Sequence, residues 1–399
     1  MNSIIQEEAR ELAGWNAEAE ILSIYTAMKS LSDARRKQGK RYSLALILTY
    51  LLLAKAAGET TLQAIAEWIR LRGRWLQEAL PGVRPTFPCA ATYSNVLRAV
   101  DPDQLNHVLM ALLTRVRAER REPGEQQHVA LDGKTLRGTQ RHLAEDQRKM
   151  HQVNLYETQT GVILKEQVVA EKESEQSRVS ELLIPLYLKG RLLSADALHT
   201  HASVCSSILA SGGDYLLFAK GNQPTLKEDL RLFFQEPPVD CRDWRTGRTC
   251  ESSHGRLESR EIVASTELND FLATSWPGSA QVFRLRRRVC KPLSCTQEWV
   301  SGFTSLSPKL ASPQRLLELI RDHWAIENRL HRRRDVTLGE DACQVRKGMA
   351  PRTLAVLNSF LLAVFDWLEV RNVPRQMRVF AANPLLALRL FIGSLIREN

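Results

Sequence analysis

Three acidic residues stand where chemistry could be done. HVALDG (128–133) and RLLSADA (191–197) are short apolar runs that each reach an aspartate, Asp132 and Asp196. Ligands gather at the carboxyl ends of parallel strands, so two apolar strands ending in acids suggest a shared site. Taken singly, Asp132 also suits a turn with Gly133, and Asp196 also suits a helix cap. A third acid, Glu327, belongs to a helix that starts at Ser312-Pro313, with serine as N-cap and proline at the first helical position. Leu317, Ile320, Trp324 and Glu327 then recur at spacings of three and four, on one stripe. A carboxylate on a buried stripe must be paired, protonated or metal-bound, so Glu327 is expected to be buried. His323 and His331 lie one turn away on either side. Asp335, Glu340 and Asp341 are alternative third acids.

Three carboxylates without cysteine ligands suit hard cations that prefer oxygen, Mg²⁺ or Mn²⁺. Two such ions ~3.5–4 Å apart activate a water or a 3′-hydroxyl and stabilise the leaving oxygen of a phosphodiester. Asp132, Asp196 and Glu327 are therefore the expected metal ligands. His199 and His201 follow Asp196 and suit either a place beside the metals or an ordinary hydrogen-bonding role. Other chemistries lack their signatures. Gly133-Lys134-Thr135 has the end of a phosphate-binding loop, but His128 stands where its first glycine is required. There is no HExxH, no GxGxxG after a strand and no GxSxG elbow.

Basic and polar donors surround the acids in sequence. Lys134 and Arg137 follow Asp132, and Lys220-Gly221-Asn222-Gln223 closes a strand with a donor-rich turn. His254, Arg256 and Arg260 form a further group, and Arg286–Arg288 and Arg332–Arg334 are two runs. A charge run alone is more often a solvated face. The formal net charge of +10 nevertheless favours a polyanionic partner, through field steering and counterion release. The expected phosphate contacts are Lys134, Arg137, Lys220, Asn222, Gln223, His254, Arg256, Arg260 and Arg334.

These residues need elements to hold them. A chain of 399 residues, 44% hydrophobic and 25% charged, reads as a folded protein of two or three domains. Residues 1–115 carry helical periodicity throughout, and RAERREPGEQQ (117–127) reads as a linker. From 126 to 239 the pattern is strand, a hairpin at 151–170, helix at 174–188, strand, helix, strand, helix. That alternation predicts an α/β fold, a mixed sheet flanked by helices. The order is that of the RNase H fold, whose first and fourth strands lie side by side and would bring Asp132 to Asp196. Residues 240–305 read as a β-rich insertion, and 306–399 as the final helices of the core. Seven cysteines without a CxxC pair suggest free thiols in a reducing cytosol. The apolar stretches at 44–58 and 353–370 are too short or too polar to span a bilayer, so no membrane partner is expected.

ALDGKTLRGT (130–139), SADALHTH (194–201), GGDYLLFAKGNQPTL (212–226), HGRLESREI (254–262), HWAIENRLH (323–331) and DVTLGEDA (335–342) together resemble the DDE transposases of bacterial insertion sequences, in the H-repeat-associated branch. LSDARRKQGKRYSLALILTYLLLAKAAG (31–58) and TYSNVLRAVDP (92–102) are similar to the helical domain that accompanies that core. The resemblance implies an RNase-H-like catalytic domain with Asp132, Asp196 and Glu327 as its acidic triad. It implies double-stranded DNA as partner (element ends and target), a homodimer on that DNA and a bacterial cytoplasmic location. Arg332–Arg334 depart from the family's pattern, which has aromatic and apolar residues there. Two rival readings are a domesticated DNA-binding protein that no longer cuts, and a simple metal-dependent nuclease. If Lys and Arg contacts dominate DNA binding, affinity should fall steeply and log-linearly with salt. A dissociation constant that hardly moves between low and moderate salt in a filter-binding titration would contradict a phosphate-dominated interface.

Overall fold

The structure, a computed structural model, describes residues 24–36, 40–79, 84–118, 126–135, 151–169, 179–253 and 255–392. The first part is helical, as its periodicity predicts: α1 (Ile24–Met28), α2 (Leu44–Ala56), α3 (Leu62–Leu71), α4 (Gly73–Ala79), α5 (Ala90–Ala99) and α6 (Pro102–Ala118). Ser43 and Thr61 start α2 and α3 by accepting from the Leu46 and Ala64 amides, which relieves unpaired N–H groups of the first turn.

The strands that follow are β1 (Gln127–Thr135), β2 (His151–Glu157), β3 (Val162–Val169), β4 (Arg191–Ala195), β5 (Asp214–Ala219), β6 (Arg245–Ser253), β7 (Arg256–Ser265), β8 (Gln281–Lys291) and β9 (Ser294–Thr304). They form one sheet in the order β3-β2-β1-β4-β5-β9-β8-β7-β6. β1, β4 and β5 run parallel, and the other pairings are antiparallel. This is a mixed sheet flanked by helices, consistent with the RNase-H-like fold. The strands of 240–305 continue the sheet, because β9 pairs with β5 from Leu216–Thr304 to Ala219–Ser301. Gly302 makes that seam close, since a side chain there would strike the Leu217 carbonyl and the Phe283 ring.

Helices α8 (Ala202–Ala210) and α9 (Pro224–Gln235) cover one face, packing Cys205, Ile208, Leu226 and Leu230 against Leu217 and Phe303. The short α10 (Asn269–Ala273) adds Leu272 to that layer. On the other face α11 (Pro313–Ala325) sets Leu316 and Ile320 against Phe218, Phe283 and Leu285. The last helices are α12 (Ala350–Trp367), α13 (Val373–Ala382) and α14 (Pro384–Ile392). They share one core with the N-terminal helices: Leu48, Leu52 and Leu109 meet Leu361, Phe365 and Phe391. Tyr156, Val162 and Ile163 of the sheet join the same core, so α12 is buried along nearly its whole length.

Two expectations need correction. The helix read over 174–188 falls partly outside the described residues. Within them a new turn, α7 (Pro185–Leu188), starts afresh, because proline drives the preceding Ile184 into an extended conformation. The cysteines are not all free thiols. Cys290 and Cys295 are directly opposite across the β8–β9 hairpin, 4.1 Å apart at Cα, and form a disulfide. Among the described residues no helix is long and apolar enough to cross a membrane.

Phe360 is fully buried in α12, at the centre of the shared helical core. Phe360→Ala should cost roughly 3–5 kcal/mol, lost transfer energy plus a cavity. A denaturant midpoint unchanged from the parent would show that α12 is peripheral to stability.

Candidate active site

The parallel ladder between β1 and β4 sets Leu131 opposite Ala195, so Asp132 and Asp196 emerge at the same level of the sheet edge. Asp132 is half-buried in β1, and Asp196 follows β4 directly and precedes a short 3₁₀ turn, Ala197–His199. Glu327 arrives from above. Past Ala325 the helix widens into a π-helical turn, Ile326–His331, in contact with β1. Such turns are rare and concentrate at functional sites. The expectation that Glu327 is buried is overturned. The stripe that enters the protein runs through Leu316, Ile320, His323, Ile326 and Leu330, which leaves Glu327 exposed at its margin.

The acids are electrostatically one group. Burial pushes the Asp132 carboxyl up to about 7; the Gly133 N–H, 2.8 Å away, opposes this, and the charges of Glu327 and Asp196 reinforce it. His331 Nδ1 lies 3.4 Å from Asp132, but burial holds this imidazole down at about 3, so it faces the carboxylate uncharged. Asp196 goes the other way. Burial pulls it upward, yet the Lys220 ammonium at 2.6 Å, helped by the Ala197 N–H, holds it below the ordinary carboxylate range.

The donors here are carboxylate oxygens, which suit a hard divalent cation, and such a cation would offset the burial and the lesser charge repulsion that raise Asp132. Among the described residues, no three acidic, histidine or cysteine side chains stand close enough to be a finished ion cage. The Lys220 ammonium lies on the Asp196 carboxylate.

The rival third acids are engaged elsewhere. Buried Glu340 takes Arg334 at 2.7 Å, Lys134 at 3.8 Å and the Asn358 amide at 2.9 Å. Asp335 pairs with Lys134, and Asp341 is half-buried beyond it. This network also corrects two expected phosphate contacts. Lys134 is buried among carboxylates, and Arg334 is fully buried on Glu340 and Gln152; neither reaches the surface. Helical winding splits the arginine run: Arg332 is exposed, Arg333 turns to Asp366 at 2.7 Å, and Arg334 points inward.

The remaining donors have separate fates. Arg260 is buried against Glu258 at 2.6 Å, so it too is a structural partner rather than a surface contact. Arg256 and Lys220 are exposed. The Asn222 amide donates to the Ala197 carbonyl at 2.5 Å and Gln223 to the Thr200 carbonyl at 2.6 Å, so both brace the loop after Asp196. Arg137 and His254 lie outside the described residues. His199 is buried, which holds it down at about 4, and the His201 ring contacts the Leu198 carbonyl at 3.1 Å. Sequence reading missed Asn154, the cross-strand partner of Asp132, whose amide is buried with no hydrogen-bond partner. It also missed a buried chain beneath the acids, in which Ser194 Oγ meets His128 Nε2 at 2.7 Å and His323 Nδ1 at 2.8 Å. The available signal was polar residues inside apolar strands.

The Asp132 carboxyl titrates near 7 in the fold and near its ordinary 3.8 in the unfolded chain. The folded state therefore holds that proton more tightly, and its stability falls as pH rises between these values. Asp132→Asn, neutral throughout, escapes this loss. Without divalent ions it should melt above the parent at about pH 8, with the gap closing toward pH 4. Identical melting curves at both ends would mean that Asp132 ionises at no cost.

The family model described as "Transposase DDE domain" matches residues 123–363, and the one described as "DDE_Tnp_1-associated" matches 25–113. The chain is 29% identical over 379 residues to "Putative transposase YncI" of Escherichia coli O157:H7, covering 91% of this chain and 93% of that one. It is 30% identical over 281 residues to "H repeat-associated putative transposase YhhI" of Escherichia coli K12, 67% of this chain and 71% of that one. A Xanthobacter autotrophicus protein, "Uncharacterized protein in dhlA 3'region", is 31% identical over 66% of this chain and 89% of its own. The sheet, its paired aspartates and these matches agree: the chain belongs to the DDE transposases, in their H-repeat-associated branch.

Proposed function

We propose that this chain cuts DNA at the ends of its own element and joins them to a target, with Asp132, Asp196 and Glu327 as the residues that carry the reaction. The observation that supports this best is the placement of Asp132 and Asp196 side by side on neighbouring parallel strands, with the charge of Glu327 acting on Asp132. Bound Mg²⁺ or Mn²⁺, in a pair held by these three carboxylates, would activate a water or 3′-hydroxyl and stabilise the leaving oxygen. The chain's own residues set the conditions. Asp132 holds its proton near neutral pH until a cation compensates the neighbouring charges. Asp196 stays ionised beside Lys220, whose exposed ammonium would be in reach of a phosphate oxygen of the bound DNA. Arg332, exposed five residues after Glu327, and the exposed Arg256 add non-specific backbone affinity. A homodimer that holds two DNA ends belongs to the same reading.

Asp132→Asn, Asp196→Asn and Glu327→Gln should each abolish cleavage and joining of end DNA while binding is kept or tightened. Each keeps the side chain's shape but removes the charge that ligates a hard cation and repels phosphate. Asp341→Asn should cleave normally. Near-parental cleavage by Glu327→Gln, with loss in Asp341→Asn, would move the third acid to Asp341.

A further inference from the structure

The buried chain under the acids has a direction. His128 sits in β1 four residues before Asp132, and Ser194 in β4 two residues before Asp196. His323 lies in α11 one turn before Glu327. The Ser194 hydroxyl joins the two rings, at 2.7 Å to His128 Nε2 and 2.8 Å to His323 Nδ1. All three residues are buried, with His128 and Ser194 essentially closed to solvent. The Phe218 ring lies over His323, its centroid 4.9 Å away. Burial keeps both imidazoles uncharged at neutral pH.

One hydroxyl proton between two neutral imidazoles allows two arrangements. In the first, His128 Nε2–H donates to Ser194, and the Ser194 hydroxyl donates to His323 Nδ1. His323 then carries its proton on Nε2. The second reverses every bond, with the protons on Nδ1 of both rings. His128 Nδ1 is buried and has no hydrogen-bond partner. The second arrangement would therefore strand an N–H donor in the core, which folded proteins avoid more strictly than a bare acceptor. It would also leave His323 Nε2 with a lone pair where the Asp196 charge, opposed less strongly by Lys220, acts on the ring. Both physical arguments favour the first arrangement.

We propose that His323 is a positioning residue. His128, acting through Ser194, fixes its tautomer so that an Nε2–H is presented on the Asp196 side while the Glu327 helix is tied to both aspartate strands. The link to cleavage rests on the activity proposed above; the tautomer does not. A merely structural contact would leave the proton position open. The relay requires the Nε2–H form at both rings. Partners of this kind, one step behind the acids, typically change activity by about 10- to 100-fold when removed.

The test is ring-nitrogen NMR on the full chain labelled at histidine, with His128→Asn and His323→Asn used to assign the signals. Both rings should be in the Nε2–H form in the parent. Ser194→Ala should destroy that uniform state, lower end cleavage about 10- to 100-fold and leave end binding unchanged. Ser194→Thr, which keeps a hydroxyl, should restore both. Nδ1–H signals at the two assigned rings of the parent would overturn the relay. Parental cleavage by Ser194→Ala would equally overturn the positioning role. A parent that cuts no end DNA would sink the proposed activity alone, because the tautomer is read without DNA.

Discussion

The backbone ladder between β1 and β4 imposes the constraint on which the rest of the structure turns. Hydrogen bonds from Gln127–Arg191 to Leu131–Ala195 oblige two acids, 64 residues apart in the chain, to leave the sheet together. Like charges brought together in a half-buried place are unfavourable, and the fold answers each differently. Asp196 receives an ammonium from the end of β5, whereas Asp132 receives no cation and holds its proton instead. The asymmetry follows from position. β4 lies between β1 and β5, so Lys220 pairs directly with Asp196 and is the least of the influences on Asp132, too weak to offset burial.

Behind the acids the segment after Glu327 is held by charge as well as by the buried side chains of Leu330 and Leu338. Arg334, Glu340, Lys134 and Asn358 tie β1, the π-helical region and α12 into one buried network, extended by Gln152 of β2. Arg352 of α12 continues it to Asp103 of α6 at 2.6 Å. Removing one member of a buried pair typically costs about 3–5 kcal/mol, because an uncompensated charge remains. An arginine run that looks like a phosphate-binding patch is therefore largely internal. Only Arg332 of the three is exposed.

The same logic runs through residues 240–305. Arg260 and Arg287 converge on Glu258, and Arg286 pairs with Glu261 across the β7–β8 ladder. These pairs consume much of the local positive charge. Arg256 adds a third, longer contact to Glu258 at 3.6 Å while staying exposed, and Arg288 is exposed too. A glycine at 302 lets this outer part of the sheet join the inner part, so the basic strands are fixed in register with the strands that carry the acids.

What the sequence by itself determined is local: helices from 3.6-residue periodicity, apolar strands ending in Asp132 and Asp196, the hairpin at Thr160-Gly161 and the Ser312 cap of α11. The adjacency of β1 and β4 is expected from the alternation of strands and helices, because few topologies satisfy parallel crossovers; that β9 pairs with β5 is not. Tertiary structure alone decided the environment of each charge. Three consecutive residues, Arg332 to Arg334, meet solvent, Asp366 and Glu340, because successive helical positions point in different directions. Glu327 looks buried when the stripe is drawn through Trp324; the buried face runs instead through His323 and Ile326, one position earlier. The tie between Ser194 and its two histidines spans 66 and 129 residues, and no local pattern encodes it. Pairing between distant side chains depends on which surfaces pack together, and that is settled by the whole core at once.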